Sequence, residues 1–172
     1  MPEITPEVIK ALETAIAAER QGMAQYLEFA RKTADQTGKN MFIALARDEM
    51  EHFLAFFDQL NSARSAGMLL EVKLEPSEIE RLRPNLRQMR TEKSSKGTNE
   101  LGALRTALDQ EKNAIKFYME QERKTQDFNA KKMYRELIDV ERSHYDLIQA
   151  QIDYITKTGY WFDIPEFRLE VE

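Results

Sequence analysis

His52 and His144 are the only histidines in the chain, and each follows one glutamate by three residues and another by 33: Glu49 and Glu19 for the first, Glu141 and Glu111 for the second. A single offset of 92 residues carries Glu19 to Glu111, Tyr26 to Tyr118, Glu49 to Glu141 and His52 to His144. All of these residues fall in stripes of apolar side chains that step by three and four, the inward faces of amphipathic helices. A carboxylate left unpaired in such a stripe costs on the order of several kcal/mol. Four of them demand a compensating charge, and cations at the centre of a helical bundle supply it. The repeated offset reads as a duplicated helical hairpin with two metals on its approximate two-fold axis.

The stripes define four helices. The first begins after Thr5, with Pro6 at the first helical position, and runs to about Gln36, ahead of a turn at Thr37-Gly38. Its inward face is Val8, Leu12, Ala15, Glu19, Met23, Tyr26 and Ala30. The second covers about Lys39 to Ala66, with Phe42, Leu45, Glu49, His52, Phe53, Phe56 and Leu60 inward and Phe57 read as core beside them. The third, about Asn99 to Thr125, turns Leu101, Leu104, Leu108, Glu111, Ile115 and Tyr118 inward. The fourth, about Asp127 to Thr158, turns Tyr134, Leu137, Glu141, His144, Ile148, Gln151 and Ile155 inward. Short turns at Gly38 and at Gln126-Asp127 make antiparallel hairpins, and a crossover of about residues 67–98 joins them, with a short helix expected over Pro76–Leu82. The expectation is an all-α, antiparallel four-helix bundle occupying residues 1–172 as a single domain. The aromatic tail, about residues 159–172, is expected to pack on the bundle or on a second subunit.

Composition narrows the chemistry. The absence of cysteine excludes disulfides, iron–sulfur clusters, thiolate zinc and a four-cysteine iron centre. A net charge of −5 gives no basic footprint for nucleic acid or an anionic membrane. No apolar run approaches the length of a membrane span and the N-terminus lacks the build of a signal peptide, so a cytoplasmic protein is expected. The six Gly and five Pro are too few for a protein of many short strands.

The stretches Glu19-Arg20-Gln21-Gly22-Met23-Ala24-Gln25-Tyr26, Asp48-Glu49-Met50-Glu51-His52, Glu111 to Tyr118 and Glu141-Arg142-Ser143-His144 resemble the rubrerythrin family, in its short form without a rubredoxin domain. The resemblance implies a ferritin-like bundle in which Glu49 and Glu141 bridge two irons, Glu19 and Glu111 are terminal ligands, and His52 and His144 each cap one metal. It makes Tyr26 and Tyr118 hydrogen-bond partners of the bridging glutamates across the bundle, and it implies a homodimer. Asp48, four residues before His52, is a candidate acceptor for that ring's other N–H, although Val140 holds the matching place before His144. The chain departs from the family at Ala114, where many members carry a further glutamate that lets one iron move between ligands. It also lacks the cysteine-ligated electron-transfer domain, so electrons must come from a separate donor such as a rubredoxin-like protein.

The oxygen and imidazole ligands suit iron, with manganese or zinc as other occupants. Four glutamates balance two divalent ions, which at about 3.5–4 Å apart deliver two electrons together. The leading reading is a non-haem di-iron oxidoreductase that reduces H2O2 or O2 and protects against oxidants. The alternative is a ferritin-like ferroxidase or iron-storage protein, to be separated by oligomeric state. A metal-free interaction bundle is a third reading. A hydroxylase is disfavoured, since a chain of this length is expected to leave little room for an organic substrate.

Overall fold

A computed structural model describes residues 4–71, 74, 77, 79, 81, 93–96 and 100–162. Four long helices carry the molecule: α1 (Pro6–Lys32), α2 (Gln36–Ala66), α3 (Leu101–Lys124) and α4 (Phe128–Thr158). α1 packs along α2 and α3 along α4, two hairpins that form the ferritin-like four-helix bundle. A two-stranded antiparallel ribbon, β1 (Lys93–Lys96) with β2 (Tyr160–Phe162), is the one departure from all-helical architecture among the described residues. Its first strand falls within the stretch expected to be plain crossover. Of the short helix expected over Pro76–Leu82, Ile79 and Arg81 are helical, and Arg81 N–H donates to the Ser77 carbonyl. Pro76, Glu78, Glu80 and Leu82 lie outside the described residues, as do most of the crossover and the tail beyond Phe162.

The approximate two-fold extends beyond the stripes. Thr33 and Thr125 terminate α1 and α3, and Asp35 and Asp127 cap α2 and α4, each pair again 92 residues apart. The cap carboxylates accept from the Gly38 and Ala130 backbone N–H groups at 2.9 and 2.8 Å, satisfying donors that the first helical turn otherwise leaves bare. These caps move the first turn. α1 stops at Lys32, not near Gln36, and Gly38 sits inside α2 instead of in the turn. Its reason for being glycine is space. A Cβ there would stand 2.6 Å from the Trp161 indole, which is fully buried, lies edge-on to Phe42 and anchors β2 to the bundle.

Two apolar clusters fill the interior, one around Met41, Phe42, Leu45, Leu147 and Trp161, the other around Leu12, Phe56, Tyr118, Met133 and Leu137. Between them lies a polar layer. One reading of the core changes: Phe53 is half-buried and Phe57 exposed, their rings stacked 6.0 Å apart on the outer side of α2. Phe57 lies five residues from His52, which turns it away from the inward face.

Candidate metal centre

The polar layer is made by the middle of each helix. Glu19, Glu49, His52, Glu111, Glu141 and His144 are all buried, none more than 5% exposed. Each sits on a stripe whose apolar neighbours go to the two clusters, so packing on either side fixes the charged side chains at mid-bundle. The six converge as two overlapping groups: Glu19, Glu49, His52 and Glu141 in one, and Glu49, Glu111, Glu141 and His144 in the other. Within each group one ligand atom from every residue lies within 4.8 Å of the rest. Glu49 and Glu141 belong to both groups.

The imidazoles point inward by the same nitrogen. His52 Nδ1 stands 3.3 Å from Glu19, 3.4 Å from Glu141 and 3.9 Å from Glu49. His144 Nδ1 stands 3.2 Å from Glu141, 3.5 Å from Glu49 and 3.7 Å from Glu111. Yet these atoms do not form hydrogen bonds of good geometry. Glu19 Oε2, both Glu141 carboxylate oxygens and both Nδ1 atoms are buried without a hydrogen-bond partner among the described residues. Buried polar atoms in that state are rare, because each carries its full desolvation cost. Divalent cations would satisfy them. The donor set of carboxylate oxygen and imidazole nitrogen therefore fits metal binding.

Protonation without cations shows the same conflict. Burial, and then the charge of Glu49, push Glu19 well above the usual carboxylate range. Burial and the Glu141 charge push Glu111 up to about 8. Burial acts upward on Glu141 too, but the close approach of His144 and His52 outweighs it and holds that carboxyl well below its usual range. Burial disfavours both imidazolium ions. For His52 the contacts with Glu141 and Glu19, and for His144 those with Asp48 and Glu111, outweigh it and raise both well above the usual value.

The surrounding residues break the two-fold. Asp48 does accept from a histidine, but from His144 across the bundle, at 3.0 Å from its Nε2, and not from His52 on its own helix. That bond holds the ring with Nδ1 turned to the cluster. The residue 92 positions on is Val140, which has no such acceptor to offer His52. Burial opposes ionisation of Asp48, but hydrogen bonds involving His144 and Ser77 keep its carboxyl below the usual range. Tyr26 donates its hydroxyl to Glu111, not to Glu49 or Glu141, because α1 faces α3 at this level. Tyr118, fully buried, finds no hydroxyl partner among the described residues. Ser77 and the Tyr26–Glu111 pairing left no signal in the sequence pattern, since both contacts join distant segments.

Beside the cluster, between α1 and α3, opens a cavity of about 310 Å³ whose lining includes Gly22, Ala114 and the carboxylates of Glu19 and Glu111. The chain thus leaves more room than its length suggested. No described helix is long and apolar enough to cross a membrane.

No curated protein matches the chain. A family model does, the rubrerythrin model, over residues 10–152. That span holds all six cluster residues and both tyrosines, and it stops short of the aromatic tail. With most of its length matched, the chain belongs to the rubrerythrin family.

Proposed function

We propose that the cluster holds two iron ions and that the protein is a non-haem di-iron oxidoreductase, reducing H2O2 or O2 with electrons from an external donor. One observation carries the reading: two four-residue groups that share Glu49 and Glu141, the arrangement expected of carboxylates bridging a metal pair. Glu19 and His52 would complete one position, and Glu111 and His144 the other. A bound ferrous pair supplies two electrons together at adjacent sites, the number needed to reduce peroxide to water.

The protein's own groups prepare that chemistry. His144 is oriented by Asp48, and Glu111 by the Tyr26 hydroxyl. Glu19 and Glu111, both pushed toward the protonated form by burial, would release their protons as cations bind. The apolar clusters above and below close the layer on those two sides. The oxidant reaches it through the α1–α3 cavity. These residues hold no cysteine, so the electrons enter from outside them, from a rubredoxin-like donor.

The test is metal analysis of the full chain after anaerobic ferrous loading, followed by stopped-flow oxidation with H2O2 and with O2. Two irons per chain, lost in Glu49→Ala and Glu141→Ala, and turnover sustained by an added reductant support the reading. Oxidation that halts after one turnover and deposits ferric mineral in a 24-subunit shell supports the iron-storage alternative. No bound metal, with unchanged stability on chelation, overturns both.

A further inference from the structure

The α1–α3 cavity is larger than an oxidant needs. Its roughly 310 Å³ equals on the order of ten water molecules in liquid volume, against one or two for O2 or H2O2. It falls at the lower end of the range of small-molecule sites, about 300–1,000 Å³. Its size has a definite origin. Gly22 and Ala114 are two-fold equivalents, each three residues beyond Glu19 or Glu111, so each presents its small side one turn along the same inward face.

Its walls carry unused polar groups. Tyr118 lines the cavity, and its buried hydroxyl lacks a partner among the described residues, whereas that of its equivalent Tyr26 is engaged by Glu111. Gln110 also lines it, and its buried Oε1 has no partner among the described residues while its amide donates to Gln25. A donor and an acceptor, neither charged, thus belong to residues that line the cavity together with Tyr26 and Phe117. We propose that this cavity is a binding site for a neutral aromatic molecule bearing one hydroxyl or carbonyl group, a phenol-class ligand. The ring lies against the aromatic wall and its oxygen is held by Tyr118 and Gln110. Among the described residues no cationic side chain lines the cavity to hold an anionic ligand. The proposal goes beyond the di-iron reading and does not need it, since the contacts come from the wall.

The test titrates phenol into the full chain, metal-loaded and chelator-treated, and follows binding by saturation-transfer NMR. Saturable binding is expected in both states. Ala114→Leu, which fills the cavity, should abolish it. Tyr118→Phe should weaken it about two- to tenfold, the worth of one neutral hydrogen bond. Gly102→Ala, on the same helix where an added methyl meets nothing within 4 Å, should leave it unchanged. Thermal melts show whether Ala114→Leu folds, and Tyr118→Phe removes no contact that the fold uses. Equal binding in wild type and Ala114→Leu, or no saturable binding at millimolar phenol, as a cavity holding only water gives, overturns the proposal. Binding confined to the metal-loaded state overturns it as well, since the metal and not the wall would then be the partner. Iron content is measured separately, so failure here leaves the di-iron reading standing.

Discussion

At the scale of single residues, the two tyrosines offer the sharpest contrast. Tyr26 and Tyr118 occupy equivalent places, but only Tyr26 has a hydroxyl partner among the described residues. Tyr26→Phe strands the buried Glu111 carboxylate and should cost about 1–3 kcal/mol in denaturant unfolding of the metal-free chain. Tyr118→Phe should be neutral or stabilising in the same measurement. Equal losses in the two variants would contradict the geometry. A second expectation concerns pH. Glu19, Glu111, His52 and His144 all bind protons more tightly in the metal-free fold than in the unfolded chain. Their contribution is complete below the unfolded values and is lost as pH rises through the folded ones, about 8 for Glu111. Asp48 and Glu141 act oppositely, and their contribution is lost as pH falls through their depressed values. The melting temperature of the chelated protein should therefore decline between about pH 5 and pH 8, while metal affinity rises over the same range. A chelated melting temperature that climbs with pH would refute this account. The six cluster residues were legible in the sequence because helical spacing alone puts them inward. The Asp48 partner was misjudged because it lies across the bundle, where spacing along one helix gives no information.

Helices were legible wherever a stripe ran unbroken, and the start of the fourth near Asp127 was read from the turn that precedes it. The turn between α1 and α2 was not. Glycine is a turn signal in a sequence, and nothing near Gly38 shows that an indole from the far end of the chain needs its missing side chain. Gly38→Ala should therefore destabilise the protein despite alanine's better helix propensity, by about 1–3 kcal/mol of overpacking. Trp161 fluorescence should move to longer wavelength in that variant as the ring is displaced. A stabilised variant with unchanged emission would show that propensity, not packing, governs the position. The β1–β2 ribbon escaped the sequence reading because one strand lies in a stretch punctuated by turn residues and the other is only three residues long.

For the whole molecule, Ile43, Met50, Leu54 and Phe57 lie 43–49% exposed on one stripe of α2, stepping by seven, four and three, with Leu27 similarly exposed on neighbouring α1. It is the face that the homodimer expected from the family resemblance would bury. Leu54→Glu combined with Phe57→Lys should shift the protein from dimer to monomer in analytical ultracentrifugation without loss of helical circular dichroism. A wild-type monomer would remove the assignment.

The unequal surroundings of the two imidazoles have a consequence for how iron enters. Under the proposed ligand set, the His144 seat is built in advance by Asp48, whereas Val140 offers the His52 ring no matching carboxylate. A carboxylate behind a ligating histidine is worth about 10–100-fold in affinity. Ferrous titration should accordingly fill the chain in two resolved stages, and Asp48→Asn should merge them by weakening the first. A scaffold built as two like halves thus ends with a leading and a trailing ion.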